Sequence, residues 1–256
     1  MKLEALVALA RLLERESTND KGAAEGAEGS GGAAARERPA LLGIVGPPGS
    51  GKSTLTEALH GAMPDWSLVQ MDGFHLSNEA LLALGRRERK GAPDTFDVAG
   101  FIVLLHRIRA LPLSGRAGPS GLSDVVRAPR FHREFEPVAA DISDHRRIVY
   151  APRFHREIEE PVAGSLAVLP QSPGVFVEGN YLLHDEHGWS AVAPLLDAVW
   201  YVDTPIAACR QRLVDRATKT YGPVQGPAWV DNVDEPNAKL VRAGATRADR
   251  RVQLEL

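Results

Sequence analysis

Apolar positions fall into two kinds of pattern along the chain. Leu3, Leu6, Val7, Ala10 and Leu13 recur at helical spacing and predict an amphipathic helix over about residues 3–14. Leu41-Leu42-Gly43-Ile44-Val45 is instead a short unbroken apolar run, the mark of a buried strand, and Thr54 to Leu59 opens a helix directly after it. Three further strands are expected in "WSLVQMD", "GVFVEG" and "LDAVWYVD", the last two each followed by a turn and a helical pattern. Strands alternating with helices predict an α/β fold with a parallel sheet.

Polar and small residues divide these elements. The segment around "EGAEGSGGAAARER" has too few apolar side chains to offset its own ordering, so a helix over 1–15 and a flexible linker over 16–39 are expected, with one domain over 40–256. Ala128 to Glu134 recurs letter for letter as Ala151 to Glu157. A solenoid needs at least three units, so the two copies read as a local duplication. The Gly/Ser/Pro-rich "SGRAGPSGLSD" ahead of the first copy predicts an insertion at about 113–146.

Composition narrows the possibilities. With 256 residues, 44% hydrophobic, the chain can bury a full core, and 33 acidic against 30 basic residues give a formal charge of -3, without the basic excess that marks a nucleic-acid partner. Cys209 stands alone, which excludes a disulfide within the chain and suits a small core residue. No apolar run approaches a membrane span, and Glu4 sits where a secretion signal wants basic charge. A cytoplasmic protein is expected, with no membrane and no nucleic acid as partner; a homodimer is left open.

The chemistry concentrates in Gly46-Pro47-Pro48-Gly49-Ser50-Gly51-Lys52-Ser53-Thr54, which fits G-x-x-x-x-G-K-[ST] between a strand and a helix. Its glycines let backbone N–H groups converge on one anion at the positive end of the new helix, and this predicts a phosphate-binding loop for ATP. Lys52 would reach the β- and γ-phosphates, and the Ser53 hydroxyl would hold Mg²⁺. Asp72 and Glu178 each end an apolar strand with glycine next, at the sheet edge where α/β folds bind ligands. Two such carboxylates can share one Mg²⁺, and one can take the proton of an attacking hydroxyl.

"GPPGSGKST", "MDGFHL", "RKGAPDTFD", "VYAPRFHRE" and "VFVEGNYLL", in this order, resemble the uridine kinase, phosphoribulokinase and pantothenate kinase group, and most closely its bacterial branch of fructokinase-like small-metabolite kinases, over roughly residues 40–245. The resemblance implies a P-loop three-layer sandwich with a helical lid, and ATP-dependent phosphorylation of a small-molecule hydroxyl. It implies Asp72 as the general base and Glu178 beside Ser53 around Mg²⁺. Uridine kinases carry a tyrosine with a histidine five residues on in the nucleoside pocket; Tyr150 and His155 keep that spacing, which selects the second repeat copy as the functional one. Where those kinases place a ribose-binding aspartate this chain has Gly91, while Arg89 and Lys90 point to an anionic or strongly polar acceptor or to a solvated basic turn. Selectivity is expected around Phe74, His75, Arg89, Phe96, Tyr150 and His155.

Beyond "WYVDTP" a helix carries Arg210, Arg212 and Arg216, then the Gly/Pro-bearing "TKTYGPVQGPAW". Arg212 and Arg216 share a face and suit a mobile lid that brings charge onto the transferring phosphoryl group. Ala217 departs from the Arg-His pair common in the family, and Asn237, in "DEPNAKLV", has no assigned role. A guanine-reading Asn-Lys-x-Asp is missing, which removes a regulatory GTPase. An ATP-binding or ATPase module without an efficient acceptor remains as the alternative to a kinase.

Overall fold

The computed structural model describes residues 1–14, 38–111, 113 and 148–253. Nearly all of the expected linker, the first copy of the repeat and all but the first residue of the expected insertion lie outside the described residues.

Five parallel strands make the central sheet: β1 (Ala40–Val45), β2 (Ser67–Gln70), β5 (Gly174–Gly179), β6 (Ala198–Val202) and β7 (Arg250–Val252), in the order β2-β5-β1-β6-β7. Every residue of β1 and of β5 is buried, as continuous apolar runs require when both faces of a parallel sheet are covered. Alternation divides β1 between two cores. Leu41 and Val45 join one cluster, and Ala40, Leu42 and Ile44 the other.

On the second face lie α1 (Leu3–Leu13) and α2 (Lys52–Ala62): Leu6 and Ala10 pack in one cluster with Leu55, Leu59 and Trp66. Arg11 adds a bidentate pair to Asp65 at 2.6 and 2.7 Å, so α1 is docked on the sheet layer rather than standing apart. The first face is covered by α4 (Val98–Arg109), capped by the Asp97 carboxylate accepting from the Gly100 N–H at 2.8 Å, and by α6 (Glu235–Ala243). Helix, sheet and helix make three layers. No helix among the described residues is long and apolar enough to cross a membrane.

Two elements add to the expected pattern. "VYAPRFH" and the residues after it form an antiparallel hairpin of β3 (Val149–His155) and β4 (Glu160–Val168), which lays Val149, Ala151 and Val168 on the first core. The Gly/Pro-bearing lid segment is not a loop: α5 (Ile206–Trp229) runs through it, broken only at Gly222 (φ 85°, ψ 172°). Pro223 opens the next helical stretch, where the missing N–H costs nothing.

Candidate active site

The phosphate loop is held by its glycines and by α5. Gly49 and Gly51 have φ of 77° and 88°, in the left-handed region that other residues enter only with strain. A Cβ on Gly49 would stand 2.6 Å from the Cys209 carbonyl oxygen, so the first turns of α5 press directly on the loop. Cys209 itself is free and buried. The Thr204 hydroxyl donates to the Ser50 carbonyl at 2.7 Å and Arg212 Nη1 to that of Gly49 at 3.1 Å. The Ser50 N–H closes a turn onto the Pro47 carbonyl at 3.1 Å, and the loop runs on into the amino end of α2, where helix amides and dipole favour an anion.

Beneath the loop is a buried polar cluster. Ser53 Oγ donates to Glu178 Oε1 at 3.1 Å, Lys52 Nζ is 3.8 Å from the same oxygen, and Gln70 Nε2 lies 3.4 Å from Glu178 Oε2. Parallel pairing sets this arrangement, since β5 lies between β1 and β2 with Glu178 in register with Ile44 on one side and Gln70 on the other. Burial pushes the Glu178 carboxyl up, the Asp72 charge adds to it, and Lys52 offsets only part.

Asp72 is set differently. β2 ends at Gln70, and Asp72 sits two residues beyond in a single 3₁₀ turn, Met71–Phe74, with 30% of its side chain exposed. Burial opposes its charge, but His75, Lys52, Arg156 and Arg216 together hold its carboxyl below the usual range. His75 Nδ1 lies 2.8 Å from the Asp72 carbonyl oxygen, and its ring packs at 4.0 Å on Phe96 and 4.9 Å on Phe154. Burial pushes its imidazole down, toward the neutral form.

The remaining expected residues are spread more widely. Phe74 packs edge-on against Phe101 at 5.1 Å, in the core. Arg89 forks onto Asp94, and Tyr150 lies on β3 with 49% exposure. Gly91, at φ 102°, suits a turn closed by its N–H to Thr95 Oγ1 and by the Tyr181 hydroxyl donating to its carbonyl at 2.6 Å; an aspartate there would be strained. Arg216 reaches 4.0 Å from Asp234, whereas Arg210 is bound to Asp231 at 2.6 Å. Buried Asn237 packs beside Gly91.

No protein-family model matches the chain. Protein YggC of Escherichia coli, itself uncharacterized, is 30% identical over 227 residues, 85% of this chain and 79% of that protein. A candidate uridine kinase of Schizosaccharomyces pombe is 29% identical over 186 residues, 69% of this chain and 65% of that protein. Among solved structures, a candidate fructose transport system kinase of Silicibacter superposes with a TM-score of 0.70 at 29% identity, covering 98% of this chain and 99% of that one. The chain belongs to the uridine and pantothenate kinase-like group of P-loop kinases. This kinase is therefore an ATP-dependent phosphotransferase acting on hydroxyls.

Within this kinase, Gln70, Phe154, Arg156, Tyr181 and Asp234 also contact residues of the candidate site, although sequence reasoning passed over them. Glu178 and Asp72 carried a readable signal, a carboxylate and a glycine after an apolar run. Arg156 had one too, since it directly follows the motif histidine in the repeat copy that keeps the tyrosine.

Proposed function

We propose that this kinase transfers the γ-phosphate of ATP to a hydroxyl of a small polar metabolite, with Asp72 as the general base. The observation that carries the reading is the unlike setting of two carboxylates. Glu178 is sealed beneath the phosphate loop, while Asp72 stands partly open beside it among cationic groups.

Asp72 would accept the proton of the acceptor hydroxyl as its oxygen attacks the γ-phosphorus. The bond from that phosphorus to the β–γ bridging oxygen breaks, and ADP leaves with the electron pair. Lys52 balances charge on the phosphates, and Arg212 and Arg216 approach from α5, whose break at Gly222 suits lid motion. His75, kept neutral by burial, fixes the turn through the Asp72 carbonyl.

Mg²⁺ fits the residues present. Glu178 meets only the Ser53 hydroxyl, a long amide contact and a long ammonium contact, and no cluster of three acidic, His or Cys ligands occurs among the described residues. That suits an ion bound through one or two carboxylates with phosphates and water completing its shell. When bound, it would neutralise charge on the β- and γ-phosphates.

The test is acceptor-dependent ADP release across a panel of sugars, polyols, hydroxy acids and nucleosides. ADP release stimulated by an acceptor, with the acceptor recovered as its phosphate ester, is expected. Release indifferent to every acceptor would identify an ATPase module instead.

A further inference from the structure

The turn that carries Asp72 is flanked by the β3–β4 hairpin and by residues 86–94, and Arg89, Lys90 and Arg156 are three of the basic side chains there. Arg89 is committed to Asp94, with Nη2 to Oδ2 at 2.6 Å. Lys90 Nζ donates to Asn78 Oδ1 at 2.9 Å and to the Glu159 carbonyl at 2.6 Å, and lies 5.0 Å over the Phe154 ring. Arg156 makes a single loose ion pair, Nη2 to Asp72 Oδ2 at 3.9 Å, and 59% of its side chain is exposed.

Stability does not account for this placement, because an exposed pair at such a distance is worth between nothing and about 1 kcal/mol. Yet the backbone beneath Arg156 is tightly fixed. The Pro152 carbonyl oxygen lies 2.2 Å from where a Cβ of Gly73 would be, so only glycine lets the hairpin approach the turn this closely. Phe154 packs on His75, and the Glu159 carbonyl holds Lys90. The result is a rigid mount carrying an uncommitted guanidinium within 4 Å of the proposed base.

A hydroxyl must sit within hydrogen-bond reach of Asp72 to lose its proton there, so substituents one or two bonds away fall within reach of Arg156. A guanidinium fork matches carboxylate and phosphate oxygens in pairs. We propose that Arg156 determines acceptor specificity by binding an anionic group, a carboxylate or a phosphate ester, close to the hydroxyl that becomes phosphorylated. The inference rests on Asp72 as the base. In the free enzyme the guanidinium leans on Asp72, and an anionic acceptor draws it away, leaving that carboxylate to the hydroxyl.

The experiment uses two matched series, glucose with gluconate and glucose 6-phosphate, and glycerol with glycerate and glycerol 3-phosphate. ADP release is measured for the full chain and its Arg156→Gln and Arg156→Lys variants, and binding of the six compounds is measured by calorimetry with a non-hydrolysable ATP analogue present. At least one anion should exceed its neutral parent in kcat/KM by about 100-fold, and Arg156→Gln should raise the KM for that anion about 10- to 100-fold, with kcat and the KM for ATP little changed. Arg156→Lys should recover part of the loss. The arm that responds, carboxylate or phosphate, identifies the group read. Neutral parents used as well as the anions, an Arg156→Gln KM equal to that of the parent enzyme, or no binding of any of the six would overturn the proposal. Anion binding weakened by Arg156→Gln but never followed by phosphoryl transfer would uphold the anion site and sink the assignment of Asp72 as base.

Discussion

The two halves of the candidate site, the proposed nucleotide side and the proposed acceptor side, are built by different means. The nucleotide side is backbone: a buried parallel strand, a loop whose glycines take left-handed angles, and a helix end, with Lys52, Ser53 and Glu178 as the few side chains added. The acceptor side is side chain: a 3₁₀ turn, a two-stranded hairpin and the lid helix each present one or two groups, several of them exposed. Phosphate is the same ligand in every such enzyme and can be met by fixed amides, whereas the acceptor must be told from other metabolites by changeable groups on replaceable supports.

The largest effect expected is on the nucleotide side. Lys52→Ala should lower turnover by about 10³ or more while circular dichroism shows an intact fold, because the proposed role of the side chain is to meet phosphate rather than to pack the core. Normal turnover in that folded variant would remove the distinction between the halves. Next, Asp72→Asn keeps size and hydrogen bonding but cannot accept a proton, and should cut kcat by about 10²–10⁴ with ATP affinity little changed. Glu178→Gln should instead raise the Mg²⁺ requirement, with rate partly restored at high Mg²⁺. Rate titrations against Mg²⁺ for both variants sharpen the comparison, and rescue of the Asp72 variant alone would reverse the two roles.

Smaller effects separate close packing from backbone strain. Gly49 and Gly164 both have positive φ, 77° and 71°, but a Cβ would strike the Cys209 carbonyl in the first and meet nothing within 4 Å in the second. Gly164→Ala should cost about 1–2 kcal/mol, the left-handed penalty alone, and spare ATP affinity. Gly49→Ala should cost more and weaken ATP binding as well, as chemical denaturation and nucleotide titration would reveal. The smallest effect concerns His75, whose folded-state pKa lies below the ordinary 6.5. Its unfolded form takes up protons first, so its contribution is intact above about pH 6.5 and is lost as pH falls toward the lower folded value. His75→Asn should flatten the decline of the urea midpoint between pH 7.5 and 5.5, and an unchanged slope would show that this ring is not the group responsible.

Legibility follows the same division. The loop could be read because its conformation demands glycine at fixed offsets, and Glu178 because it is the last residue but one of a buried strand. Asp72 was legible as a residue but not as a geometry, since the turn beginning at Met71 is set by Gly73 against Pro152, a contact between distant segments. The hairpin stayed hidden because "VYAPRFH" carries a proline and an arginine that break the alternation a strand pattern wants, and it is paired from outside by β4. Arg89 illustrates the reverse case: its basic neighbourhood suggested a ligand, but Asp94, five residues on, already answers its charge. Asn237 found its place only through Gly91 and a helix far along the chain.

The strand order also bears on how the enzyme comes into being. β1 is the first strand made, yet its two partners, which begin at Gly174 and Ala198, are among the last: Ala40 pairs with Gly174, and Leu42 with Ala198. Until both have left the ribosome, the segment leading into the phosphate loop has no ladder on either side. Long-range parallel pairing of this kind slows folding and leaves apolar strands uncovered meanwhile. The part of the chain most easily recognised on paper is thus the part whose assembly must wait longest.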